Sequence, residues 1–145
     1  MSRQFWLGIA GGLLAAVAFS QVSLTPTVQA HSADKAEASM LYELRTYTTP
    51  DGKLDALHAR FRDHTMKLFE KHGMKNIMYW TPVDQPNTLI YVIAHKDKAA
   101  ADASWQGFRN DPEWKRVAEE SQRDGRLVSK VESVYMNQTD YSPKH

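Results

Sequence analysis

A ferredoxin-like α+β fold, ordered βαββαβ, is predicted for residues 40–137, and three observations predict it. Short runs rich in branched and aromatic residues alternate with helical stretches whose apolar positions recur with a period near 3.6. The helices follow the first and third strands, an order that gives one four-stranded antiparallel sheet with two helical layers on one face. The central strands are apolar on both sides, so the sheet face turned away from the helices needs a cover of its own.

The elements follow in order. MLYELRTYT, residues 40–48, reads as the first strand, and TPDGK turns the chain into a helix spanning roughly Asp51 to His72. Leu54, Leu57, Phe61, Leu68 and Phe69 form the apolar stripe of that helix, and Gly73 stands where a C-terminal capping glycine belongs. KNIMYWTPV, residues 75–83, is the second strand, and TLIYVIAH, residues 88–95, returns after an Asp84-Gln85-Pro86-Asn87 turn. The second helical region comes in two pieces, restarting at Asp111 as N-cap with Pro112 in the first helical position, and is expected to run to Gly125. LVSKVESVYMN, residues 127–137, is the last strand.

The ends have another character. Residues 1–30 carry Arg3, an apolar run from Phe5 to Phe19 and a small-residue site at Val28-Gln29-Ala30, the pattern of a cleaved signal peptide. An uncleaved N-terminal anchor is the alternative. Residues 31–39 read as a flexible linker and 138–145 as a C-terminal tail. The expected location is therefore outside the cytoplasm, periplasmic or secreted, with no membrane attachment after cleavage. Of 18 Lys and Arg only Arg3 is lost with the leader, leaving 17 basic against 17 acidic residues. That balance gives no electrostatic reason to expect a nucleic acid partner. The chain has no cysteine, which excludes disulfides, thiolate metal sites and a Cys nucleophile.

In the second strand Ile77 and Tyr79 alternate with Met78 and Trp80, and in the third Leu89, Tyr91 and Ile93 oppose Ile90, Val92 and Ala94. Both faces should be buried, and a second copy of the sheet is the simplest cover. A homodimer is expected.

YELRTYT (42–48), the PDGKLD turn (50–55), FRDHTMKLFEKHGM (61–74), Tyr79-Trp80 and the Trp105, Phe108, Asp111-Pro112-Glu113-Trp114 pattern together resemble the NIPSNAP family. The resemblance covers nearly all of residues 40–136. It implies a dimeric α+β barrel, two ferredoxin-like sheets closed around one another with the helices outside. Relatives in the wider superfamily include cofactor-free monooxygenases and haem proteins, whereas NIPSNAP members mostly have no assigned reaction.

Candidate site residues follow from the helix and strand patterns. At about 100° per residue, Leu54 and His72 superpose on the first helix, His58 lies about 40° to one side and His64 about 80° to the other. His58, His64 and His72 are too far apart along the axis to share an ion, and no metal site is expected. His64, in a middle turn between Phe61 and Leu68 and expected to point toward the sheet, is the candidate general base, or axial ligand to haem. A partly buried imidazole with an ordinary hydrogen bond is the competing reading. His72 is expected to meet the last carbonyls of its helix, and His58 to border solvent.

Glu43 and Arg45 share a strand face with Leu41 and Tyr47, so two charges enter an inward face and must be paired, with Glu132 a candidate partner. Arg45 is a candidate ligand-binding residue, and so are Trp80, Tyr91 and Trp105, drawn from a group of six large rings that also holds Tyr42, Tyr79 and Trp114. Trp80 is the first choice for a pocket wall. Nucleotide-binding, serine-hydrolase and zincin motifs are absent from the sequence. The leading expectation is a domain that binds a small apolar or aromatic molecule, or a protein partner, with no cofactor. The alternatives are a cofactor-free oxygenase or isomerase using His64, with Arg45 or Tyr91 holding an oxyanion, and a haem-binding protein.

Overall fold

Why the chain folds back on itself as it does is visible in the computed structural model, which describes residues 40–143. The signal peptide expected at 1–30 and the linker at 31–39 lie outside the described residues. The strands β1 (Leu41–Thr48), β2 (Lys75–Trp80), β3 (Thr88–His95) and β4 (Lys130–Asn137) form one antiparallel sheet in the order β2-β3-β1-β4. Helix α1 runs Leu54–Arg60, passes through a π turn at Phe61–Thr65 and continues over Met66–Lys71; α2 spans Lys98–Asn110 and α3 Pro112–Ser121. The predicted ferredoxin-like order is the observed one. No described helix is long and apolar enough to cross a membrane.

Local chemistry sets the boundaries. Asp97 caps α2 by accepting from the Ala100 amide at 2.8 Å, and Asp111 caps α3 from the Glu113 amide at the same distance. Gly73 ends α1 at φ 78°, a left-handed conformation that a side chain would resist. Helix α3 stops at Ser121, short of Gly125, which instead turns the following loop at φ 112°. Strand β4 begins at Lys130, because Leu127 is drawn into the core and Ser129 bonds back to the Thr48 carbonyl.

One face of the sheet packs on the helices. Leu89, Tyr91 and Ile93 of β3 are buried there against Leu57, Phe61, Phe69, Trp105 and Phe108. The rings interlock, with Tyr91 5.3 Å from Tyr47 edge-on and 5.3 Å from Tyr79 in a stack. They fill the layer between helices and sheet, which is the role of aromatic rings in most cores. The opposite face has no cover among the described residues: Met78 is 49% exposed, Trp80 45% and Val134 55%. Strand β2 also departs from simple alternation. A bulge at Ile77 gives Asn76 the place opposite Ile93 and leaves Ile77 exposed. The inward Asn76 is satisfied by bonds to the Met66 carbonyl and to Glu70.

The π turn changes what α1 shows to its neighbours. In an uninterrupted α-helix His64 would lie about 20° from Leu57, on the core side. Here the Met66 amide reaches five residues back to the Phe61 carbonyl, and the Thr65 hydroxyl bonds the Arg60 carbonyl at 3.2 Å. The extra residue in the turn makes Thr65 the buried position and rotates His64 away.

Candidate functional site

Glu43 is the centre of a polar cluster beneath α2. It is 1% exposed, and its carboxylate accepts four side-chain hydrogen bonds. Oε1 receives Arg45 Nη1 at 2.5 Å and Ser133 Oγ at 2.7 Å; Oε2 receives Trp105 Nε1 at 2.7 Å and His95 Nε2 at 3.0 Å. Two bonds to each oxygen use the acceptor capacity of a carboxylate in full. Burial alone would raise the Glu43 pKa. The bonds from His95, Ser133, Trp105 and Arg45 outweigh it and hold the group at about 2, against an ordinary 4.5.

Strand register and helix packing build this cluster. Arg45 stands opposite both Tyr91 and Ser133, and Glu43 opposite Ile93, so β1 places its charges between two neighbouring strands on the helix-facing side. Trp105, at a buried position of α2, lies over the Arg45 guanidinium at 4.3 Å. The guanidinium also reaches the Tyr47 hydroxyl at 3.4 Å. Burial would lower the Arg45 pKa, but Tyr47, Tyr91 and the Glu43 carboxylate raise it. Arg45 is thus a fixed cation, with 15% of its side chain exposed. Its register partner on β4 is Ser133, and Val131, Ser133 and Tyr135 on that strand are exposed. The predicted pairing with Glu132 does not form. Position 132 falls opposite Thr46, on the other face, and Glu132 pairs with Lys130 instead.

Of the four predicted ligand-binding residues the structure brings Arg45, Tyr91 and Trp105 together, and not Trp80. Trp80 pairs with Ile90 in register, which turns it to the uncovered face, away from the helices. Tyr42 points to that side as well and meets Gln138. His64 does not face the sheet. It is half-buried in a groove of about 340 Å³ between α1 and α3, with Ala56, Ala59 and Val117 as apolar walls. Arg60, Ser121 and the exposed carboxylates of Asp63 and Glu120 complete that groove. A haem held by His64 would need a wide apolar slot. This lining, with the carboxylates of Asp63 and Glu120, does not fit one. His72 bonds Asp111 at 2.7 Å rather than its own helix carbonyls, and Lys71 joins the same oxygen at 2.8 Å.

Two residues escaped the sequence reading. His95 ends β3 on the face of Tyr91 and Ile93, so alternation from those two placed it beside Glu43. Its Nε2 is bound to Glu43, and its Nδ1 is buried without a partner. Arg60 follows Leu57 by three residues, within the apolar stripe. It is 7% exposed, and its Nε has no partner. The Tyr91 hydroxyl is likewise buried and unpartnered, with burial as the main cause of its strongly raised pKa. Among the described residues no three His, Asp or Glu side chains come together as a metal site.

The comparisons agree with this fold. A solved NIPSNAP family protein of unknown function from Agrobacterium tumefaciens is 22% identical, with a TM-score of 0.64 over 73% of this chain and 94% of its own. A NIPSNAP-like domain protein from Burkholderia xenovorans is 15% identical, with a TM-score of 0.65 over 74% and 91%. A putative antibiotic biosynthesis monooxygenase from Nitrosomonas europaea is 13% identical, with a TM-score of 0.51 over 73% and 96%. No curated protein matches the chain. The NIPSNAP profile matches residues 42–143, most of the chain and all of the sheet and helices but the first residue of β1. The chain belongs to the NIPSNAP family.

Proposed function

We propose that this chain is an exported, homodimeric binding domain whose ligand is a small molecule with a flat apolar body and an acceptor oxygen. The observation that carries this reading is Arg45. It is a largely buried cation, oriented by Glu43 and Trp105 and set in register opposite Ser133 of β4, where Val131, Ser133 and Tyr135 are exposed. A fixed donor at the end of an apolar shelf is the usual composition of a small-molecule site. Dimerisation through Met78, Trp80 and Val134 would cover the apolar sheet face that the helices leave open. The purified protein should run as a dimer in native mass spectrometry, and Trp80→Glu should shift it to monomer. Naphthol should raise the melting temperature, less so in Tyr135→Ala. A dimer that carries no added mass and does not respond to naphthol would sink the small-molecule reading and favour a protein partner.

The Glu43–His95 pair supports a second reading. In the tautomer that donates Nε2–H to Glu43, the His95 Nδ1 is a lone pair without a partner, oriented as a general base is. Its side chain is fully buried, so a substrate would have to open a path to it. In an oxygenase or isomerase of this fold, His95 rather than His64 would then take the proton. If so, His95→Gln should abolish turnover while His64→Ala leaves it intact.

A further inference from the structure

We infer that the groove between α1 and α3 is a second ligand site, separate from the Arg45 shelf, and that it takes a small organic monocarboxylate on Arg60. The guanidinium is buried, yet it makes no ion pair among the described residues. Its side-chain partners are the Ser121 hydroxyl, at a long 3.4 Å, and the face of Trp114 at 5.2 Å. Nε is left without an acceptor, as is the Nε of Arg45, but here no carboxylate bonds the rest of the fork. A buried cation in this condition is costly, and the partner that removes the cost is a carboxylate presenting two oxygens to the planar fork.

The groove is placed to supply that partner from solution. Ser121, which the guanidinium touches, is itself part of the lining, so the cation forms the groove wall. A volume of about 340 Å³, at the low end for ligand pockets, has room for a small organic acid. Ala56, Ala59 and Val117 give its alkyl part an apolar wall, and the Ser121 hydroxyl and the His64 ring stand near the anion. The lining also settles the charge. Glu120 is already paired to Arg116 at 2.6 Å, but Asp63 adds an exposed negative charge. A dianion such as phosphate is repelled where a monoanion with an apolar tail is tolerated.

The test is a calorimetric titration of the purified full-length protein with sodium butyrate, and with sodium phosphate at equal ionic strength. Butyrate should bind in the millimolar range or better and raise the melting temperature. Arg60→Met should weaken it at least about tenfold, the share of a charge-assisted hydrogen bond. The same variant should melt no lower than the wild type, because it removes an uncompensated buried charge. Ala56→Phe, a change at an exposed helix position, should block the groove and abolish binding without disturbing the fold. No butyrate binding to the wild type, or equal binding to both variants, overturns the site. A stronger response to phosphate than to butyrate overturns the assignment to a monocarboxylate. Neither outcome depends on whether naphthol binds at the Arg45 shelf.

Discussion

Two arginines lie on the helix-facing side of the same sheet, and they differ in what surrounds them. Arg45 has Glu43 at 2.5 Å, and that carboxylate is bonded in turn by His95, Trp105 and Ser133. Arg60 has a long bond to Ser121 and a ring face. The first sits in a network in which one carboxylate takes four donors, although its own Nε and the His95 Nδ1 stay without partners, and low-dielectric surroundings strengthen the bonds that are made. The second is a buried charge without compensation. Burial lowers the Arg60 pKa, whereas the partners of Arg45 more than reverse the same effect. The contrast teaches that a buried charge can be held in two ways: Arg45 is fixed by a carboxylate within the chain, whereas Arg60 is left with a fork that still lacks one.

The largest expected effect breaks the paired side. Glu43→Ala leaves the Arg45 guanidinium and the Trp105, His95 and Ser133 donors without an acceptor. Removing one partner of a buried ion pair typically costs about 3–5 kcal/mol. For a domain of this size that lowers the melting temperature by more than about 10 °C. Arg45→Met should also be strongly destabilising, while Arg60→Met should be neutral or stabilising. Thermal unfolding of the three variants side by side checks the comparison directly. Equal losses for the two arginine variants would erase it.

Acid sharpens the same point. The Glu43 pKa is depressed in the folded state, so the folded protein releases this proton more readily than the unfolded chain. Its contribution is therefore complete above the ordinary value of 4.5 and is lost as pH falls toward about 2. The depression is worth on the order of 3 kcal/mol across that window. Denaturant unfolding of the wild type and Glu43→Gln should show a stability gap that is constant above pH 5 or so and closes toward pH 2. Asp111, also held well below its usual range by Lys71 and His72, titrates in both proteins and drops out of the difference. A gap that stayed open at the acid end would mean that the carboxylate is not the source of the stability.

Much of this was legible in the sequence, and the failures have two physical causes. Periodicity located every strand and helix, because apolar spacing reports directly on which side of an element is buried. Alternation from Leu41 to Tyr47 correctly turned Glu43 and Arg45 inward, and Asp111 and Pro112 announced the start of α3. Readings failed where the period itself was broken. The bulge at Ile77 exchanged the inward place with Asn76, and the π turn moved the core position from His64 to Thr65. Each inserts one residue into a regular repeat, and neither leaves a compositional mark. The partners of Glu43 were hidden for a different reason. His95, Trp105 and Ser133 lie 52, 62 and 90 residues away, and only strand order and helix packing join them.

The smallest expected effect isolates that π turn, through a pair of neighbouring substitutions. Thr65 is buried, and its hydroxyl bonds the Arg60 carbonyl at the start of the widened turn. Thr65→Ala removes this bond and a buried methyl group, a loss of about 1–2 kcal/mol. His64 is half-buried at the groove and makes no side-chain hydrogen bond among the described residues. His64→Ala should stay within about 0.5 kcal/mol of the wild type. A continuous α-helix predicts the opposite ranking, because residue 64 would then fill the core position and residue 65 would face outward. Urea unfolding of the two variants decides between these geometries. It also bears on Arg60, whose carbonyl anchors the turn and whose side chain the turn sets at the groove wall. If the two substitutions proved equally harmless, the turn would be a loose feature of α1, and nothing would hold the guanidinium in place to meet an anion.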